Sequence, residues 1–152
     1  MRPVEQTFPI RLMVGAIFIS EGLQKLLYPV ELGSGRFAKI GIPIPEFLGP
    51  CVGVTELLCG ALILCGLFMR YSIIPLSVIM VVAIVSTKVP ILLGHDVFGF
   101  SLKPLPRYGV LSMLHEARTD MCLMCGLIYL WLISPSRMPN HARQDVVSTF
   151  KY

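Results

Sequence analysis

Between His115 and Asp120 the chain sets four titratable side chains in six positions, His115, Glu116, Arg118 and Asp120, and then runs directly into the apolar stretch from Met121 to Ile133. Side chains of these types transfer protons and hydrogen-bond polar ligands. On a helix, His115 and Thr119 stack four apart, as do Glu116 and Asp120; these four share an arc of roughly 140°, with Arg118 just outside it. A charge near the bilayer centre costs about 2.5–3.5 kcal/mol on an insertion scale, so such residues face polar partners or a polar cavity. Other helices must supply those partners.

The whole chain fits this membrane setting. Its 152 residues are 55% hydrophobic and 14% charged, with a mean hydropathy of +0.74, and they contain several apolar runs close to bilayer-spanning length. One integral membrane domain is expected, with the lipid bilayer as its first partner. The net charge of +4 is spread along the chain, which leaves no nucleic-acid footprint. Five cysteines, an odd number, fall in or beside the expected helices; that argues against a disulfide framework and for small packing residues. The apolar run from Leu12 to Ile19 continues into Glu21 and Lys25 without a small-residue cleavage pattern, so it reads as a retained first helix.

The sequence predicts an all-α, four-helix membrane bundle with helices at about 10–28, 48–69, 71–93 and 109–133 and a polar tail over 134–152. Pro9 suits a first turn and Pro29 a stop. The second helix, about 33 Å long, exceeds a hydrocarbon core of about 30 Å, and its Gly49 and Gly53 offer a small-xxx-small face. Arg70-Tyr71-Ser72 is expected as a very short turn, which makes the second and third helices antiparallel neighbours. The Gly- and Pro-rich connection from Pro29 to Phe47 carries Phe37, Ile40, Ile42 and Ile44. It reads as a re-entrant or interfacial segment folded over the bundle mouth.

Alternating helix directions bring the scattered charges to one level. Measured from the side of the two long loops, Glu21, Glu56, Lys88 and Glu116 lie about 8–12 Å in, and Asp120 roughly 16 Å. A mutually paired polar core follows; Glu56 with Lys88 is one expected pair, and Glu116 and Glu21 are the alternative partners of Lys88. His115, Glu116, Asp120, Lys88 and Glu56 are the candidate proton-transfer residues, and Glu21, Lys25 and Arg118 the candidate ligand-binding ones. A purely structural ion network is the alternative. His95-Asp96 supplies too few ligands for a metal site. By the positive-inside rule, Arg2, Arg11, Arg70, Arg137, Arg143 and Lys151 against Arg36, Lys39, Lys103 and Arg107 place both termini on the cytoplasmic or mitochondrial-matrix side.

Four separate motifs carry a resemblance: Glu21-Gly22-Leu23-Gln24-Lys25-Leu26, Gly35-Arg36-Phe37 followed by Gly41-Ile42-Pro43, Glu56-Leu57-Leu58-Cys59-Gly60, and Leu114-His115-Glu116-Ala117-Arg118-Thr119-Asp120. In this order, over about residues 8 to 133, the chain resembles the DoxX/DoxD-like membrane proteins. The resemblance implies a four-helix membrane bundle associated with quinone-linked oxidoreductases, such as thiosulfate:quinone oxidoreductase, and with respiratory complexes of a bacterial plasma membrane or mitochondrial inner membrane.

Reducing a quinone takes two protons and donors to two carbonyl oxygens; His115, Lys88 or Arg118 can donate, and Glu116, Asp120 or Glu56 can relay protons. Electrons need another subunit, because the chain has no haem-attachment motif, no four-cysteine cluster pattern and no flavin- or dinucleotide-binding glycine fingerprint. The Cys122-Leu123-Met124-Cys125 pair is a weaker thiol alternative, since it lies inside a helix and no loop holds a relay pair. A non-catalytic accessory subunit, and a small-solute or proton pathway, are the competing functions.

Overall fold

Prolines and glycines set the helix limits. The computed structural model describes residues 7–134, and these form five helices: α1 (Phe8–Leu27), α2 (Ser34–Ile40), α3 (Pro45–Cys65), α4 (Met69–Leu93) and α5 (Val110–Ile133). Pro9 and Pro45 stand in the first turns of α1 and α3, where a missing N–H costs nothing. No strand occurs among the described residues. The tail over 135–152, with Arg137, Arg143 and Lys151, lies outside them, as does Arg2.

The turn between the central helices differs from expectation. Helix α3 stops at Cys65, four residues early, because Gly66 takes a left-handed conformation (φ 75°) that an L side chain resists. Leu67 N–H then donates to the Leu62 carbonyl at 2.9 Å, closing the helix end in the Schellman manner. Arg70, Tyr71 and Ser72 are consequently the first turn of α4, not a loop.

Arg11 is a second correction: counted among the cations that mark the side of the termini, it is buried. Its Nε donates to the Ile63 carbonyl at 3.0 Å and its Nη2 to that of Leu64 at 2.7 Å, so a cation satisfies the open carbonyls at the negative end of α3. A side chain on Gly66 would run into that guanidinium.

The four long helices associate as two close pairs, α1 with α3 and α4 with α5, joined through α3 and α4. Glycines seven residues apart hold the first pair together. A Cβ on Gly15 would stand 2.8 Å from the Gly60 carbonyl oxygen, and one on Gly22 2.5 Å from that of Gly53, so the two backbones touch with nothing between them. Gly49, on the same face of α3 as Gly53, instead meets Ser34 at the start of α2.

Helices α1 and α5 meet where Gly126 receives Val14. Around this contact Phe18, Ile63, Leu76, Leu127 and Leu130 are almost fully buried, and the apolar core fills the half of the bundle remote from the long loops. Leu58, Ile74, Val81 and Leu132 point outward, as lipid-facing residues do. Only α3 and α4, among the described helices, are long and apolar enough to cross a membrane by that measure alone; α1 and α5 carry the charges.

Candidate functional site

The other half of the bundle, on the side of the long loops, encloses a cavity of about 480 Å³. Its walls come from all four long helices, and its roof from α2 and the residues after it. Ile17, Phe18, Ile79, Met80 and Leu123 make the deep part apolar. Above them the charges lie in two groups, one on each helix pair.

On the α1–α3 wall, Lys25 Nζ bridges two carboxylates, Glu56 at 2.7 Å and Glu21 at 3.1 Å. The close approach of Gly22 to Gly53 makes this possible, because the two helices carry Lys25 and Glu56 only one turn from that contact. Glu56 keeps 5% of its side-chain exposure and Glu21 48%, so the first is the internal ion of the pair. On the α4–α5 wall, Lys88 Nζ lies 3.1 Å from Asp120 Oδ2. Near the mouth, Lys103 Nζ reaches Glu116 Oε2 at 2.7 Å from the loop between α4 and α5.

That loop is built rather than loose. Leu102 N–H donates to Asp96 Oδ1 at 2.7 Å, and Leu105 N–H to the Tyr108 hydroxyl at 3.1 Å. Ser101 N–H donates to the Ile40 carbonyl at 2.8 Å, and Gly41 sits against the Gly99 carbonyl. The loop thereby fixes the C-terminal end of α2 across the bundle, with Phe37, Ile40 and Ile42 lining the cavity from above. Arg36, also on α2, lines it as well. It has no ion-pair partner among the described residues.

Six of the eight candidate residues line this one cavity: Glu21, Lys25, Glu56, Lys88, Glu116 and Asp120. His115 and Arg118 do not. They lie on the exposed side of α5, where Arg118 Nη1 is 3.0 Å from Nε2 and 3.2 Å from Nδ1 of the His115 ring. One turn of α5 spans more than the bundle's inner face, so the arc shared with Glu116 cannot all turn inward, and Ala117 takes the buried position between them. The expected Glu56–Lys88 pair is also replaced, since α3 gives its carboxylate to the adjacent α1 and α4 its lysine to the adjacent α5.

Arg36 and Lys103 were absent from the sequence-derived set because both sit in connections, where a cation ordinarily meets water. The Gly35-Arg36-Phe37 motif was the available signal for the first. Among the cysteines, Cys51, Cys65, Cys122 and Cys125 are exposed and only Cys59 is half-buried against the core. They pack less than expected, and neither Cys122 nor Cys125 lines the cavity.

This geometry can be set beside known proteins. A family model described as DoxX matches residues 7–89, a span that holds Glu21, Lys25, Arg36, Glu56 and Lys88. An uncharacterized membrane protein of Mycobacterium tuberculosis is 44% identical over 128 residues, covering 84% of this chain and 74% of that protein. No solved structure matches the chain. The matched span is more than half the sequence and the relative is similar well beyond it, through most of the helices that enclose the cavity: this membrane protein belongs to the DoxX family.

Proposed function

We propose that the cavity holds the head group of a membrane quinone, and that the protein is the quinone-facing membrane subunit of an oxidoreductase in a respiratory membrane. One observation carries this reading: nitrogen donors from opposite walls and the roof, Lys25, Lys88 and Arg36, line a cavity that is otherwise mostly apolar. A quinone has a carbonyl oxygen at each end of a flat apolar ring, so donors on facing walls suit it. Every carboxylate lining the cavity has a lysine partner, which favours a neutral ligand over an ionic one.

In this mechanism Lys25 and Lys88 orient the ring through its two oxygens, and Arg36 donates to one of them from the roof. Glu56 and Asp120, each already hydrogen-bonded or ion-paired to one of those lysines, pass the two protons that quinone reduction consumes. Glu116 and Lys103 connect the site to the loop side. The two electrons come from a redox centre on a partner subunit.

Arg36→Gln tests the reading cleanly, because among the described residues Arg36 pairs with no carboxylate and its loss strands none. The wild-type protein, purified in mild detergent, is expected to carry quinone in near-stoichiometric amount in its extracted lipids. Loss of one charged donor is worth about 1.5–3 kcal/mol, so Arg36→Gln should weaken retention roughly tenfold or more with an unchanged melting temperature. Wild-type protein free of quinone, and unable to take up added quinone, would overturn the proposal. It would favour instead the accessory-subunit reading, for which the complete mutual pairing of the carboxylates speaks.

Both termini belong on the cytoplasmic or matrix side in this reading. The support is the count of cations in the sequence, five against four once the internal Arg11 is set aside. A cysteine placed at position 103 should react with an impermeant reagent from the opposite side, and protection there would reverse the orientation.

A further inference from the structure

The cavity is roofed toward water, which raises the question of how a ligand reaches it. Helix α2 lies across the loop side, tied to the α4–α5 loop by the Ser101–Ile40 hydrogen bond and by Gly41 against Gly99. Phe37, Ile40 and Ile42 line the underside of that roof. Neither feature favours a polar molecule arriving from solution.

The membrane side is built differently. Of the four neighbouring helix pairs around the bundle, α1 with α5 shares the fewest close approaches. These two meet at Gly126, where Val14, Met13 and Ile10 close in. Seven residues toward the loops from that contact lie Glu21 on α1 and Thr119 on α5. At 1.5 Å per residue both stand roughly 10 Å above it, at one level. Both line the cavity, and among the described residues no hydrogen bond or ion pair joins α1 to α5 at this level. Lys25 turns to α3 and Lys88 holds Asp120 toward α4, so each helix pair keeps its charges to itself. The seam between the pairs is free of polar closure.

We infer that the seam between α1 and α5, framed by Glu21 and Thr119 above the Val14–Gly126 contact, is a lateral portal through which a long-tailed amphiphile enters from the bilayer, its tail remaining in the seam. This rests on the proposed head-group site and adds the substrate class: a polar ring or head on a hydrocarbon or isoprenoid chain, not a short water-soluble analogue. A space of about 480 Å³ takes a ring and a few carbons, so a chain of tens of carbons must leave it, and lipid is the solvent it leaves into.

The test uses a quinone whose alkyl tail ends in a diazirine, added to the full-length protein in phosphatidylcholine nanodiscs, with labelled peptides mapped by mass spectrometry. Labels that are displaced by an untagged long-chain quinone and fall on the α1 segment 13–21 and the α5 segment 119–126 are the expected result. Thr119→Trp, which fills the seam, should cut that labelling at least fivefold while the protein's melting temperature stays within a few degrees of wild type. Displaceable labels on α2 or on the 94–109 loop would overturn the portal but leave the head-group site standing. Absence of any displaceable label would overturn the quinone site itself, and the portal with it.

Discussion

Gly22→Val is expected to lower the melting temperature of the detergent-solubilised protein by about 10 °C and to reduce the amount recovered from membranes. A Cβ at this position would stand 2.5 Å from the Gly53 carbonyl oxygen and 2.7 Å from the Leu57 nitrogen. Both obstacles are backbone atoms of α3, so no rotamer change relieves them and the helices must part. Overpacking of this kind costs about 1–3 kcal/mol or more, and in a chain of this size each kcal/mol is worth about 2–4 °C. Separation also pulls Lys25 away from Glu56 one turn along, which adds an electrostatic loss to the steric one. Ala16→Val, on the exposed side of the same helix, should change the melting temperature by no more than about 1–2 °C, as surface substitutions do. Equal effects of the two variants would show that bulk on α1, and not its glycine contact with α3, sets the stability.

The second large effect concerns Lys25. Lys25→Met leaves Glu56 almost wholly buried without a counter-ion and Glu21 without its neighbour. Breaking a buried pair from one side costs roughly 3–5 kcal/mol, whereas removing both charges is often close to neutral. Adding Glu56→Gln to Lys25→Met should therefore restore most of the lost stability. The corresponding cycle between Glu56 and Lys88 should be additive, because Lys88 answers Asp120 on α5. Melting temperatures of the four proteins in each cycle give the coupling directly. Coupling between Glu56 and Lys88 larger than that between Glu56 and Lys25 would reassign the ion pairs and the two-walled cavity with them.

Much of this architecture was legible along the chain. Long apolar runs cut by Pro and Gly can be satisfied in lipid by helices, because a helix pairs its own backbone. Charges in those runs cannot be left unpaired, so Glu21, Glu56, Lys88, Glu116 and Asp120 had to meet, and their distances from the helix ends put them at one depth. The interleaved apolar residues of the α1–α3 connection likewise marked it as a cover, and α2 lies across the cavity. The turn after α3 was misplaced because Arg70-Tyr71-Ser72 is polar, a weaker cue than a left-handed glycine four residues earlier.

Partner choice could not be read from the sequence. Depth along a helix follows from residue count, but direction around it depends on which neighbour packs closest, and that is decided by surface shape. Gly15 and Gly22 against Gly53 and Gly60 draw α1 onto α3 and so give Glu56 to Lys25. Lys88 is left for Asp120, and His115 and Arg118 turn to the outside of α5. The sequence alone determined that this chain is a helical membrane bundle with a layer of charge inside it. Only the tertiary structure decided which charges pair, that they divide between two walls of one cavity, and that Arg36 joins them from above, because each of these depends on contacts between segments that are remote along the chain.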